Sequence, residues 1–199
     1  IAEQTSVARL VDRAAKALAG AVTAAQVLDA RDQAGRAYDE IKRQLRIAKA
    51  KRAHDDIIAA AHRAQADALD IEAAAKRRLA DEYDGAQARG EVVGSHDGAR
   101  KRVPDGNAIP PATAAEIGLS RKDIHKARAL RDVMAARPGI VRAALDQLLA
   151  EGDAPTRAAL KQAIAPLAGG ANLRAAVGTA SATAAERGNN LYETPAEAM

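Results

Sequence analysis

Apolar side chains recur at helical spacing near the start of the chain. Between residues 4 and 19 they are Val7, Leu10, Val11, Ala14 and Leu18. Steps of three and four residues place them on one face of an amphipathic helix. Gly20 is a typical helix stop, so we predict a short helix that ends there.

A second helical pattern begins after Thr23, a predicted N-cap, and continues without proline to about Arg89. It contains two apolar registers, Val27, Ala34, Tyr38, Ile41, Leu45, Ala48 and Ile57, Ala61, Ala64, Ala68, Ile71, Ala75. Because the registers do not join, the pattern predicts either one long helix or two helices with an unmarked break.

The first register is typical of a coiled-coil seam. Nothing else in the sequence offers an obvious cover for the stripe of Tyr38, Ile41, Leu45 and Ala48. We therefore expect residues 1–89 to form a helical arm that self-associates into a homo-oligomer. Folding back of the first helix onto the arm is the alternative.

Residues 90–111 are rich in glycine and proline and contain the basic cluster Arg100, Lys101, Arg102. This composition predicts a flexible basic linker. Such a linker can lie along a phosphate backbone.

The pattern from Thr113 to Ala129 predicts a helix-turn-helix. Ala114 allows close contact between two helices, and Gly118 can adopt the positive φ that ends the first helix. Ser120 is the predicted N-cap of the second helix, with Asp123 three residues later. The apolar residues expected to fill the wedge are Ile117, Leu119, Ile124 and Ala127.

The outer face of the second helix is rich in hydrogen-bond donors, which suit phosphates and base edges. Arg121, Lys122 and His125 are expected nearest the bases, whereas Lys126, Arg128 and the linker cluster are expected at phosphates. The predicted DNA-binding residues are therefore Ser120, Arg121, Lys122, His125, Lys126, Arg128, Arg100, Lys101 and Arg102. The same pattern is also typical of a helical hairpin with a solvated basic face.

Two further helices are predicted after Pro138-Gly139. The first contains Ile140 to Leu149 and stops at Gly152, and the second is capped by Thr156 and ends before Pro166. The helix-turn-helix domain is thus expected over residues 112–168. Residues 169–199, rich in small side chains, are expected to be poorly ordered. The predicted fold class is all-α.

Composition limits the chemistry of the chain. It contains no cysteine, which removes disulfides and thiolate metal sites and favours a cytoplasmic location. No apolar run reaches the length of a membrane span. His54 and His62 lack metal-ligand spacing and are interpreted as surface residues. No catalytic constellation or cofactor motif occurs, so we do not expect an enzyme.

The net charge of +4 suits a polyanionic partner. Six basic residues without a carboxylate lie between Ile41 and His54, namely Lys42, Arg43, Arg46, Lys49, Lys51 and Arg52. They form either a second phosphate-facing patch or the solvated face of a helix.

Part of the chain resembles a region of uncharacterised proteins from phages and other mobile elements. The motifs are Ala114-x-x-Ile117-Gly118-Leu119-Ser120-Arg121-Lys122 and Ala154-Pro155-Thr156-Arg157-Ala158-Ala159-Leu160. They follow helical stretches similar to Val27-Leu28-Asp29-Ala30-Arg31-Asp32-Gln33-Ala34 and Ala73-Ala74-Ala75-Lys76-Arg77-Arg78-Leu79. The resemblance covers residues 25 to 165 and implies DNA binding rather than a defined reaction.

The segment Asn189-Asn190-Leu191-Tyr192-Glu193-Thr194-Pro195-Ala196-Glu197 resembles the start of the methyltransferase domain in some phage-type DNA methyltransferases. Their methyl-donor loop and catalytic motif come later, so an enzymatic inference concerns only a longer parent protein. The expected function is therefore that of a DNA-binding regulator or targeting module. A DNA-recognition subunit like the small terminase subunits of phages, and a structural helical protein without a nucleic-acid partner, are the alternatives.

Overall fold

The computed structural model of the chain describes residues 2–93 and 112–165. All regular secondary structure in these two ranges is α-helical, which confirms the all-α class. The helices are α1 (Ala2–Gly20), α2 (Ala24–Ala50), α3 (Asp55–Ala88), α4 (Arg121–Ala136), α5 (Ile140–Ala150) and α6 (157–165). Val92 and Ala112 form one isolated β-bridge.

Several helix ends lie where the sequence predicts them. α1 ends at Gly20, and α4 ends at Ala136, just before Pro138. Thr23 caps α2, because its Oγ1 accepts from the backbone N–H of Gln26 at 3.3 Å and Gln26 Oε1 accepts from the Thr23 N–H at 3.1 Å. This reciprocal pair is a capping box, which defines the start of α2.

The long helical pattern is two helices, and residues 51–54 separate them. At this point the N–H of Ala53 donates to the carbonyl of Ala48 at 2.9 Å, and Arg52 has a φ of 53°. Glycine is the usual residue at such a left-handed position. Because an arginine occupies it, the sequence contains no visible signal for the break.

α2 and α3 form an antiparallel hairpin, and α1 packs against both. At one end of the hairpin, Val27 of α2 packs in one cluster with Leu79 and Tyr83 of α3. At the other end, Leu45 lies in a cluster with Ala66. The start of α2 therefore meets the end of α3, as a short connecting loop requires.

The stripe predicted to drive self-association is buried inside one chain. Tyr38 is 2% exposed, Ile41 is 0% exposed and Leu45 is 6% exposed, while Ala48 is half-buried. Residues of α1, α3, α5 and α6 cover the stripe. The premise that nothing in the chain could cover it was wrong, and α1 folds back as the alternative proposed. Self-association of the chain stays a prediction, but an uncovered apolar stripe no longer supports it.

The described part of the predicted helix-turn-helix domain shares a core with the predicted arm. Val141 and Leu145 of α5 and Leu160 of α6 lie in the same apolar cluster as Tyr38 and Ile41. Residues 1–89 and 112–165 therefore do not form separate cores. An amphipathic pattern shows which face of a helix is buried, but it does not name the partner.

Alanine builds much of this core. The fully or almost fully buried alanines are Ala14, Ala30, Ala34, Ala37, Ala66, Ala68, Ala75 and Ala80. Each buries little area, but a small side chain lets helix backbones approach closely and gain dispersion contacts. A core therefore forms within one chain although the sequence has only three aromatic residues.

Candidate nucleic-acid interface

The first helix of the predicted helix-turn-helix is a single turn over residues 114–118. Thr113 and Glu116 begin it with a capping box, in which the Thr113 N–H donates to Glu116 Oε2 at 2.6 Å. Gly118, with a φ of 76°, ends it, and the Leu119 N–H donates to the carbonyl of Ala114 at 2.9 Å. The start and stop signals lie only five residues apart, so a longer helix cannot form between them.

This turn packs against the end of the α2–α3 hairpin. Leu119 and Ile124 are buried in a cluster with Val27 and Tyr83, and Ala114 packs against that cluster. Leu119 and Ile124 are thus buried as the predicted wedge requires, but they pack against the α2–α3 hairpin rather than against a second helix of the motif.

Ile117 does not belong to the wedge, although the sequence analysis placed it there. Its side chain is 36% exposed. The turn is too short to point every apolar position inward, so Ile117 faces solvent.

Ser120 caps α4 as predicted. Its Oγ accepts from the N–H of Asp123 at 3.1 Å and donates to Asp123 Oδ2 at 2.6 Å. The hydrogen bond from Ser120 keeps the pKa of Asp123 below its ordinary value. Ser120 is therefore engaged in starting the helix, and its hydroxyl is not a spare donor for DNA.

Four predicted contact residues lie on the exposed side of α4. They are Arg121, Lys122, His125 and Lys126. Ile124 and Ala127 are buried on the opposite side. Within the described part of the chain, no hydrogen bond or ion pair engages Arg121, Lys122 or His125, whereas Lys126 interacts electrostatically with Asp123.

Arg128 reaches towards α3, and although its side chain is 38% exposed its donors are engaged there, which argues against its predicted role at phosphates. Its guanidinium donates to Asp84 and, at 2.7 Å, to Oε1 of Gln87, and it lies 5.4 Å from the ring centre of Tyr83. The sequence analysis missed this because Arg121 and Arg128 are seven residues apart and share a helix side. Only the packing of α3 brings a carboxylate to one of them.

Arg131, which the sequence analysis did not single out, completes the same contact. It donates to the second oxygen of Asp84 and lies 3.6 Å from Asp81. Burial opposes ionisation of Asp84, but Arg128 and Arg131 outweigh it and lower the pKa of that carboxyl. The two arginines thus fasten α4 to α3. The outer face of α4 is therefore exposed on a helix that is held in place.

The linker cluster of Arg100, Lys101 and Arg102 lies outside the described residues. Its predicted contact with phosphates stays a prediction.

A charged cleft of about 470 Å³ lies beside the start of α4. At its base Arg157 of α6 is stacked 4.1 Å from the ring centre of Tyr38. Arg157 Nε donates to Glu72 Oε2 at 3.0 Å, and Nη1 donates to Asp39 Oδ1 at 3.2 Å. The sequence contains no local signal for this group, because Arg157 lies 85 residues from Glu72 and 118 residues from Asp39 along the chain.

The charges of the cleft compensate one another. Its cationic residues are Arg31, Arg36, Lys76 and Arg157, and its carboxylates are Asp32, Asp39, Glu72 and Asp123. Burial opposes ionisation of Glu72, but Lys76 and Arg157 outweigh it and lower the pKa of Glu72. Because the two signs balance, the cleft carries no excess charge that would select an anionic or a cationic ligand.

The basic run of α2 lies at the far end of the hairpin. Lys42, Arg43, Arg46, Lys49, Lys51 and Arg52 are all exposed. Arg43 pairs with Glu40 at 2.6 Å. Within residues 2–93 and 112–165, the other five make no ion pair.

His62 beside this run is half-buried, so its interpretation as a surface histidine was wrong. Its Nε2 is buried and has no hydrogen-bond partner among the described residues. Burial and the positive charge of Lys49 lower the pKa of His62. His54 is exposed at the start of α3, as predicted.

In the described ranges, no group of three or more His, Cys, Asp or Glu side chains is arranged to hold a metal ion. None of the described helices combines the length and the apolar character needed to cross a membrane.

Comparisons with protein-family models, with curated proteins and with solved structures gave no significant match to this chain.

Proposed function

We propose that this protein binds duplex DNA through the outer face of α4, as a regulator or targeting module of a phage or other mobile element. The observation that carries the proposal is the contrast between two parts of α4. Arg128 and Arg131, further along the helix, are fastened to α3 through Asp84, while Arg121, Lys122 and His125 in the first two turns are exposed and have no ion-pair partner among the described residues.

This arrangement suits major-groove recognition for two reasons. The free donors lie in the first two turns of the helix, where a recognition helix meets base edges. Arginine and lysine in that position can donate to guanine O6 and N7, and the partial positive charge of the helix start adds attraction for phosphates. The single turn before α4 is shorter than the first helix of a typical helix-turn-helix, so the proposal depends on α4 itself.

Loss of a base contact and loss of a phosphate contact should have different effects on DNA binding. We expect Arg121→Ala to cost about 1–3 kcal/mol of binding free energy on a preferred duplex and to reduce discrimination against a scrambled one. Lys126→Ala should weaken both duplexes alike and lower the slope of log affinity against log salt by roughly 0.9. Salt-titrated binding to a duplex selected from a random pool and to its scrambled version measures both quantities.

Arg137→Ala is the matched control. Arg137 is an exposed arginine just after the other end of α4, so its removal changes the net charge as Arg121→Ala does. Binding should stay close to that of the parent. If Arg121→Ala and Arg137→Ala behave alike, the outer face of α4 is a solvated surface. If the parent protein does not bind duplex DNA at low salt, a structural helical protein is the better interpretation.

A further inference from the structure

A second set of unpaired cations lies at the far end of the hairpin. We define the hairpin tip as residues 42–54, the last turns of α2 and the loop before α3. Its exposed cations without an ion pair among the described residues are Lys42, Arg46, Lys49, Lys51 and Arg52. The tip contains no carboxylate. A surface with so many uncompensated positive charges favours a polyanion.

Arg52 occupies a backbone position that disfavours it. Its φ is 53°, and the bond from the Ala53 N–H to the Ala48 carbonyl closes the end of α2 around it. A side chain at positive φ crowds the backbone, so glycine is the stable choice there. Three other helical ends in the described chain have the same six-to-one hydrogen bond, and all use glycine, namely Gly90, Gly118 and Gly152. Among the described residues, only the tip has a cation at a strained backbone position, which points to a function for its charge.

Two of the tip cations, Lys42 and Lys49, lie on the same side of α2 as the start of α4. Arg31 of α2 lines the cleft with Asp123 of α4 and acts on it electrostatically. Lys42 and Lys49 are 11 and 18 residues further, which at 3.6 residues per turn brings them within about 20° of Arg31 around the helix. At 1.5 Å per residue, Lys49 lies about 27 Å from Arg31 along α2.

We propose that the hairpin tip binds backbone phosphates of the same duplex that α4 reads, without reading its sequence. The inference rests on the proposed function of α4. A separation of about 27 Å is shorter than one helical repeat of DNA, about 34 Å, so both surfaces can reach one duplex within a single turn. Lysine and arginine that neutralise phosphates release counterions, which gives affinity at any sequence.

The distribution of apolar side chains at the tip favours DNA over an anionic membrane. A membrane-binding helix places large apolar residues beside its cations. Ile47 is the exposed large apolar residue of the tip, at 41%. It lies two positions from Lys49, about 160° around the helix. The cationic side therefore lacks an apolar anchor.

The test uses the full chain with Lys49→Gln and Arg52→Gly. Each variant should bind the selected and the scrambled duplex roughly fivefold more weakly, and each should lower the salt slope by roughly 0.9. Arg13→Gln is the matched control, because Arg13 is an exposed cation of α1 outside the tip. It should leave affinity and salt slope close to those of the parent.

Arg52→Gly separates charge from folding. Glycine relieves the strain at positive φ, so this variant should melt about 2–4 °C higher than the parent while it binds DNA more weakly. A damaged fold would melt lower instead. Arg52→Lys keeps both the charge and the strain, so it should bind nearly as the parent does.

Four results would overturn the proposal. In the first, Arg121→Ala loses binding but both tip variants bind with the parent's affinity and salt slope, which refutes the tip and spares α4. In the second, the tip variants lose binding to vesicles of phosphatidylcholine and phosphatidylserine but not to duplex, which assigns the tip to membranes. In the third, the parent fails to bind either duplex at low salt, which removes the proposed function together with the tip. In the fourth, weaker duplex binding of the tip variants beside an unaffected Arg121→Ala would assign DNA binding to the tip alone, which refutes both the role of α4 and the sharing of one duplex by the two surfaces.

Discussion

Cationic side chains serve opposite purposes in two regions of this molecule. At the seam where α4 and α6 pack on the hairpin, Arg128, Arg131 and Arg157 are bound to carboxylates, and two of them lie over tyrosine rings. On the outer face of α4, Arg121 and Lys122 are exposed and have no ion-pair partner among the described residues. The first region uses charge to connect helices, and the second leaves charge available to a partner.

The difference shows why counting basic residues overestimates a binding surface. Arg128 lies on the same helix as Arg121 and was predicted to contact phosphates, but Asp84 and Gln87 occupy its donors. A guanidinium with satisfied hydrogen bonds gains little by exchanging them for a phosphate. Replacing the carboxylates at the seam tests this difference between the two regions. Such variants should lower the stability of the fold more than they lower DNA binding.

The largest effect is expected at Glu72, whose side chain is 9% exposed and pairs with both Lys76 and Arg157. Glu72→Ala should lower the free energy of unfolding by about 2 kcal/mol, because it leaves two cations without their partly buried partner. Urea denaturation measures this. Asp39→Ala is the control, since Asp39 contacts the same Arg157 but is 66% exposed, and it should cost less than about 0.5 kcal/mol.

The next effect is expected at Asp84, which bonds to Arg128 and Arg131 together. Asp84→Ala should cost about 1–1.5 kcal/mol of stability, less than Glu72→Ala because the site is more exposed. Asp81 is the matched carboxylate, 3.6 Å from Arg131 and 53% exposed, and its alanine variant should be nearly neutral. If Asp84→Ala and Asp81→Ala lowered stability equally, the attachment of α4 to α3 would not depend on Asp84.

Ser120→Ala should cost about 1 kcal/mol through loss of the N-cap of α4. Because the cap lies beside Arg121 and Lys122, duplex binding should weaken with it. Thr156→Ala is the comparison, since Thr156 Oγ1 caps α6 by accepting from the Ala159 N–H at 3.0 Å. That variant should lose similar stability without a specific loss of binding. Equal binding losses would show that both act through global stability.

A smaller effect is expected from pH. The folded chain lowers the pKa of Glu72 below its unfolded value, so the associated stability is present above the ordinary glutamate pKa of about 4.3. It is lost as pH falls through the lower folded pKa. Denaturation from about pH 6 to about pH 3 should therefore show a steeper decline for the parent than for Glu72→Gln. Parallel declines would contradict the assigned pairing.

The sequence alone was sufficient for most of the local structure. Thr23, Ser120 and Thr156 are caps with hydrogen bonds that depend on neighbours three residues away, and Gly118 has the positive φ expected from its place in the turn. These features depend on short-range geometry, so a linear pattern contains the needed information. The all-helical class follows from the same periodicity. The break at Arg52 was missed because a non-glycine residue occupies the position that glycine normally marks.

Only the tertiary structure decided which helix faces meet. It covered Tyr38 and Ile41 within the chain, brought Glu72 to Arg157, and placed Asp84 against Arg128. Glu72 and Arg157 are 85 residues apart along the chain, and Asp84 and Arg128 are 44 residues apart. The periodicity of apolar residues identifies which face of a helix is buried, but it does not identify the helix against which that face packs. Ion pairing between distant residues likewise depends on how the backbones pack. The division of cations into those that connect helices and those that face solvent is therefore a property of the folded chain.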